Sequence, residues 1–466
     1  MSFDSSIFIV FFAAFFVVYH LCFKSFRAQN MLILIGSYVF YGWWDWKLLW
    51  LIITCTAANY IAGMMLSRQA RPAVRKTIVA TCAAISLGIL GVFKYFNFFA
   101  AGLEACLNTL GINAGLPTLR LILPIGISFY TFQSLAYTID IYRGRIEPER
   151  NPVTFFAFIA FFPQLVAGPI ERASRLLPQF NRPRTVSEPG MREAIWMICW
   201  GFFLKTVVSD TLSIYSDYAF SESASSGMLT IAGVIAFSIQ IYCDFHSYSI
   251  IARGTARMLG FELIWNFNQP YFAVSLQDFW RRWHISLSTW LRDYLYISLG
   301  GNRRGRARTY INLLLTMLLG GLWHGAAWNF VFWGLLHGVA LAVERFFRES
   351  RTGKSKMPSI LSWAATMILV ATGWFFFRCD SWSMITAMAG SLLNLSWDPF
   401  AAECLLGTLA VALPVAALEI WTYRAGSQLA PAKLNRFWFA VATGLVMIFV
   451  FITFNRSYNE FIYFQF

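Results

Sequence analysis

Charge is what this chain is short of. Asp, Glu, Lys and Arg together make up 13% of its 466 residues, against 58% hydrophobic and 18% aromatic, and the mean hydropathy is +0.56. A soluble domain of this length could not cover its core at that composition, so a polytopic membrane protein is indicated. CxxC pairs are missing too. The eight cysteines, Cys22, Cys55, Cys82, Cys106, Cys199, Cys243, Cys379 and Cys404, are scattered, and most stand in apolar runs where a thiol acts as a small hydrophobe. Neither a disulfide framework nor a zinc site is expected. HExxH and GxSxG do not occur, which removes the zinc-protease helix and the serine nucleophile elbow. No basic segment precedes the apolar residues 6–23 and no small-residue cleavage pattern follows, so they read as a retained first span. Without repeats, low-complexity tracts or linkers, a single integral-membrane domain over 1–466 is the expectation.

What is present is a series of apolar runs suited to a hydrocarbon core of ~30 Å. They fall at 6–23, 31–45, 47–67, 77–101, 191–212, 228–246, 359–378, 404–423 and 437–455. Net charge is +14, and the surplus lies in connecting segments, which points to membrane orientation or an anionic ligand and away from nucleic acid. Lys24 and Arg27 follow the first run, and Arg68, Arg71, Arg75 and Lys76 follow the third. By the positive-inside rule the Arg68–Lys76 loop is cytoplasmic and both termini are extracytoplasmic. Asp210, Asp217 and Glu222 mark an outside loop, and Asp380, Asp398 and Glu403 another.

Four stretches depart from simple crossings. Leu123-Pro124-Ile125-Gly126 breaks a helix that continues through Asp140, which places that segment inside the bundle. Residues 152–170 are apolar with basic flanks on both sides and contain Pro163 and Pro169, which predicts a re-entrant element. Residues 253–308 carry Arg281, Arg282, Arg292, Arg303, Arg304, Arg306 and Arg308 without a long apolar run. Short amphipathic helices in the membrane interface fit them, with Phe279, Trp280, Trp283, Trp290, Tyr294 and Tyr296 toward the bundle and arginines toward the cytosol. Residues 309–343 lie between Arg308 and a second basic group, Arg345, Arg348, Arg351, Lys354 and Lys356. At about 20 residues per crossing they are short for two passes, which predicts a re-entrant hairpin with His324 near its turn. The fold class is therefore all-α, a transmembrane helical bundle with re-entrant helices.

Chemistry falls to the five histidines. An ionisable group at membrane depth is costly and usually faces a cavity or a partner. His324, in Leu322-Trp323-His324-Gly325, has two readings: a packed ring hydrogen-bonded to a carbonyl, or a neutral imidazole acting as a general base. His284, behind Arg281-Arg282-Trp283, reads from position alone as an interfacial side chain facing lipid, Asp278 or Asp293. His20 and His337 read as packing. Arginine holds phosphate in a bidentate way, so Arg303-Arg304 is either an orientation signal or part of a surface for an anionic donor, together with Arg281, Arg282 and Arg292.

Several of these segments resemble the membrane-bound O-acyltransferase family. They are Asp278–Ser288, Leu291-Arg292-Asp293-Tyr294-Leu295-Tyr296, Gly300-Gly301-Asn302-Arg303 and Gly321–Gly325, with Leu123–Gly144, Phe161–Arg172 and the closing Phe461–Phe466 in support. The bacterial branch containing the alginate O-acetyltransferase membrane subunit is the nearest in pattern. The resemblance implies a bundle around a central tunnel bridging both membrane faces, with His324 as the family's invariant histidine and His284 as its second polar residue. It implies a bacterial inner-membrane enzyme that uses acetyl-CoA as donor substrate and keeps no permanently bound cofactor. The acetyl group would pass to an exported polysaccharide or an extracytoplasmic accepting protein. Such chemistry requires an imidazole reachable from both faces. Where the family pattern has a small residue and an acid, this chain has His246 and Ile250, which leaves its acceptor open. The rival classes are a transporter or flippase of an anionic or glycosyl substrate with His324 as proton relay, and a scaffold without chemistry.

Overall fold

In hydrocarbon every backbone N–H and C=O must find a partner within the protein, and a helix does this within one segment. The computed structural model describes all residues except 22–24, 114, 222–225, 351–358, 455–460 and 463–466, and every regular element among them is helical. Cys22, Lys24, Glu222, Arg351, Lys354, Lys356 and the closing Tyr463–Phe466 thus lie outside the described residues. Eight helical stretches among the described residues are long and apolar enough to cross a membrane. This is an all-α, multi-pass membrane protein. Two units divide it, Met1–Gly190 with Thr255–Ile264, and Met191–Gly254 with Trp265–Phe466.

The first unit holds α1 (Ser6–Leu21), α2 (Phe26–Asp45), α3 (Leu49–Arg68), α4 (Pro72–Leu90), α5 (Phe96–Thr109), α6 (Ile127–Tyr142), α7 (Pro152–Ala160), α8 (Phe162–Leu165) and α9 (Ala173–Phe180). The expected first span, α1, has 16 residues, about 24 Å of helix at 1.5 Å per residue. As the Pro124 and Gly126 break suggested, α6 is an inner helix, with 14 of its 16 residues buried. Gly126 has φ +75°, and a Cβ there would meet the Leu165 carbonyl oxygen at 2.7 Å, so the turn into α6 requires glycine. Polar side chains join α3, α4 and α6: Asn59 donates to Ser86 (3.1 Å) and accepts from Thr138 (2.7 Å) and the Cys82 thiol (3.1 Å). Residues 152–170 break at Phe161, and Ser37 accepts from the Phe162 amide (3.1 Å). Irregular backbone is thus satisfied inside protein.

The second unit holds most of α10 (Glu188–Phe202), α11 (Asp210–Ala219), most of α12 (Gly227–Met258), then α13 (Leu276–Arg282), α14 (Ile285–Trp290), α15 (Arg306–His324), α16 (Trp328–Ser350), α17 (Ser359–Arg378), α18 (Trp382–Ser391), α19 (Pro399–Arg424) and α20 (Arg436–Thr453). Two boundaries differ from the sequence reading. Helix α12 runs on to Met258, so Arg253 and Arg257 are helical and the interfacial stretch starts later than 253. Its polar residues lowered the local hydropathy, yet they face protein: Ser247 and Ser249 are buried, and Arg253 lies 4.1 Å over the Trp265 ring. Asp210, expected in an outside loop, is buried inside a helical run that spans Glu188–Ala219. Lys205 explains it. Its ammonium lies 3.0 Å from Asp210 and 2.9 Å from Asp244, and Asp244 also accepts from Ser209 (3.2 Å) and the Ile462 amide (2.7 Å).

Residues 306–350 form a helical hairpin whose arms, α15 and α16, touch at glycines. A Cβ on Gly321 would overlap the Phe330 carbonyl, and one on Gly334 would overlap the Met317 carbonyl. Small residues there let the backbones approach closely. His324 ends the first arm, next to the turn.

Removing one member of a buried ion cluster leaves the others uncompensated, at about 3–5 kcal/mol. Lys205→Ala is therefore expected to lower the unfolding temperature in detergent and the yield in membranes sharply. An unfolding temperature equal to the parent's would show that the cluster contributes nothing to stability.

Candidate active site

The segment that carries His284 is anchored before it reaches the histidine. Ser275 caps α13 by accepting from the Asp278 amide (3.1 Å), and Glu344 on α16 accepts from the amides of Leu276 (2.8 Å) and Gln277 (3.3 Å). A carboxylate at a helix N-terminus satisfies orphan donors and faces the positive end of the dipole. Asp278 and Arg282 then pair one turn apart at 3.0 Å. Trp283 leaves the helix in extended conformation, and His284 takes a left-handed one with φ +41°. For a residue other than glycine that conformation costs on the order of 1–3 kcal/mol and persists where the surroundings enforce it. The effect is to turn the imidazole inward, where it is fully buried.

His324 arrives from the hairpin, and its ring centroid lies 6.4 Å from that of His284. Trp323 (5.0 Å), Trp333 (5.1 Å) and Phe377 (5.3 Å) surround His324, while Phe245 (4.6 Å) and Trp323 (5.7 Å) surround His284. One acyl carbon can lie within reach of both rings. All of these residues belong to the second unit.

Beside the pair lies a cavity of about 400 Å³. Leu291, Leu313, Met317 and Leu341 give it an apolar lining, Ser288, Thr289 and Thr316 supply hydroxyls, and Arg281, Arg292 and Arg345 supply cations. Asp293, 2.7 Å from the Arg292 guanidinium, raises the pKa of that arginine further. Neither histidine lines the cavity. Its wall there is Ile285, next in sequence to His284, and Trp280, which packs on Trp333 (5.6 Å) against His324. Toward His284 this wall is aliphatic, and toward His324 it is the aromatic pair Trp280 and Trp333.

A family model described as the membrane-bound O-acyltransferase family matches residues 146–386. The chain belongs to that family. A probable alginate O-acetylase of Pseudomonas putida is 37% identical over the full length of both chains. Another, of Pseudomonas aeruginosa, is 43% identical over 83% of this chain and 75% of its own. A peptidoglycan O-acetyltransferase of Helicobacter pylori is 34% identical over 75% of this chain and 71% of its own.

The protein is thus a membrane O-acyltransferase, and the arginines singled out in its sequence fall in different places. Arg281 and Arg292 line the cavity, Arg282 is taken up by Asp278, and Arg303 and Arg304 are exposed outside the cavity lining. Arg345 was passed over, because the positive-inside rule already accounted for a basic residue after the hairpin. His337 packs on Trp333 (4.8 Å) and Trp280 (5.3 Å), and His20 on Phe16 (4.1 Å). His246 packs at a tilt against Tyr242 (5.2 Å) and Phe267 (5.3 Å), while Ile250 packs where α12 meets Gly201 of α10. Among the described residues no three histidine, cysteine or carboxylate side chains converge as metal ligands do.

Burial, reinforced by His324 opposite, pushes His284 well below its ordinary value of 6.5. Below that value the unfolded chain binds a proton that folded His284 refuses, so stability present above it is lost as pH falls. His284→Asn keeps a residue type tolerant of the left-handed backbone and does not titrate. Its unfolding temperature is expected to fall less steeply than the parent's between about pH 7.5 and about pH 5. Parallel curves would mean that His284 is not held neutral by the fold.

Proposed function

We propose that this acyltransferase takes an acetyl group from cytosolic acetyl-CoA, held at the arginine-edged cavity, and passes it across the bacterial inner membrane. The acceptor is a hydroxyl of an exported polysaccharide or of an extracytoplasmic partner protein. Both termini are extracytoplasmic on this reading, and the cavity opens toward the cytosol. The observation that carries it is the histidine pair standing behind the Ile285 and Trp280 wall of a cavity that combines apolar lining with Arg281, Arg292 and Arg345. That combination suits a donor with phosphates at one end and a thioester at the other. The relatives named as O-acetylase and O-acetyltransferase support the acetyl group and the glycan acceptor.

In the reaction, His324 accepts the proton of the acceptor hydroxyl as its oxygen attacks the thioester carbonyl. Neutral His284 donates a hydrogen bond to the carbonyl oxygen as negative charge develops there. The C–S bond breaks, the new C–O ester bond remains, and the proton on His324 passes to the departing CoA sulfur.

Loss of a general base costs about 10²–10⁴-fold, so His324→Ala is expected to reduce acetyl transfer in membrane vesicles to that extent. Undiminished transfer would end the proposal. Vesicles that move a solute in response to a proton gradient without consuming thioester would point to a transporter. Arg281→Ala and Arg345→Ala are each expected to raise KM for acetyl-CoA by about tenfold with little change in kcat, as loss of a charge-assisted bond made equally in both states does. A fall in kcat alone would place these arginines elsewhere than on the donor.

A further inference from the structure

A left-handed histidine does not hold its own backbone, and the loop that holds His284 is found at residues 265–269. This loop runs beside 282–286: the Asn268 amide donates to the Arg282 carbonyl (2.9 Å), and the Ile285 amide to the Asn266 carbonyl (2.9 Å). The Asn266 side chain then closes around the residue after that. Its Oδ1 accepts from both the amide (3.2 Å) and the hydroxyl (2.8 Å) of Ser286, and its Nδ2 donates to Ser249 Oγ (3.1 Å) on α12. Asn266, Ser249 and Ser286 are all buried, so water does not compete for these bonds.

We propose that Asn266 is the positioning residue of His284, fixing the strained turn to α12 so that the imidazole meets the thioester carbonyl. The proposal rests on the reading of His284 as the carbonyl-contacting group. One carboxamide does two jobs here that no apolar residue of its size can do. Its oxygen takes two donors on the His284 side, and its amide anchors the assembly to a long helix. Asn266 touches neither donor nor acceptor, and acts through where His284 stands.

The test is a double-mutant cycle on membrane-embedded full-length enzyme, assayed with acetyl-CoA. Asn266→Leu matches the branched outline without the hydrogen bonds, whereas Asn266→Asp, protonated at this buried position, keeps an acceptor toward Ser286 and an O–H donor toward Ser249. Misplacing a reacting group by about an ångström costs up to about a hundredfold, so N266L is expected to lower kcat by about tenfold to a hundredfold, with KM for acetyl-CoA within about twofold. N266D is expected to lose no more than about threefold, and in a His284→Ala background N266L is expected to cost less than about twofold more. An equal loss from N266L in both backgrounds, an N266D as impaired as N266L, or a raised KM at unchanged kcat would each overturn the proposal. A His284→Ala enzyme with parental kcat would instead remove the carbonyl role of His284, and the proposal with it. If N266L does not accumulate in membranes, Ser286→Ala, which deletes one hydroxyl of the set, enters the same cycle and is read the same way.

Discussion

Two imidazoles with ring centroids 6.4 Å apart, packed among tryptophan and phenylalanine side chains, repel a shared positive charge at a place where burial already works against it. His284 is thus held toward its neutral form by position, and a neutral ring is what hydrogen-bond donation without a buried charge needs. Holding that position takes three separate parts of the second unit. The hairpin brings His324 by packing α15 on α16 through Gly321 and Gly334. The left-handed turn brings His284, and Glu344, on the hairpin's second arm, receives the start of α13. The same arm carries Arg345 into the cavity lining, so a cavity-lining cation and the mount of His284 share neighbouring residues of one helix.

The same solvation argument governs the polar groups far from the histidines. Asn59 is buried, yet its carboxamide is satisfied by neighbours on α3, α4 and α6. Lys205 is buried between two carboxylates, one of which also binds backbone near the end of the chain. In a membrane such groups do not settle into lipid, so each marks a face turned toward protein. They act as seams between helices, while exposed faces such as that of α20 carry apolar side chains.

Apolar length and charge position made the all-α, multi-pass architecture legible, since both follow directly from the solvent the helices meet. The misplaced boundaries came from the same signal. Hydropathy treats a polar residue as a reason to leave the membrane, and it fails where that residue meets a partner, as Asp210 does with Lys205 and Arg253 with Trp265. His324 stood out because an ionisable residue interrupts an apolar run. His284 did not, since a histidine after two arginines has an ordinary interfacial explanation, and its pairing with His324 came from family resemblance rather than spacing. Arg345 was hidden by a rule that already explained it. Asn266 lies in a loop without periodicity, and only the fold brings its carboxamide to Ser286.

The last side chains before the cavity bear on how the chemistry is kept clean. Ile285 and Trp280 separate the cavity from His284 and from the Trp333 face of His324, so neither ring stands open to solvent from that side. Under the mechanism proposed above, a histidine that deprotonates an acceptor hydroxyl would serve water as readily, and hydrolysis of the thioester would follow. On the proposed mechanism, a wall that excludes water until a donor presses into it would avoid that, and would strengthen a hydrogen bond from His284 to the carbonyl. Ile285 follows the strained residue directly, and its amide is the one held by Asn266. The wall and the mount of His284 are therefore parts of one short segment, so on the proposed reading a donor that shifted the wall would bear directly on the ring behind it.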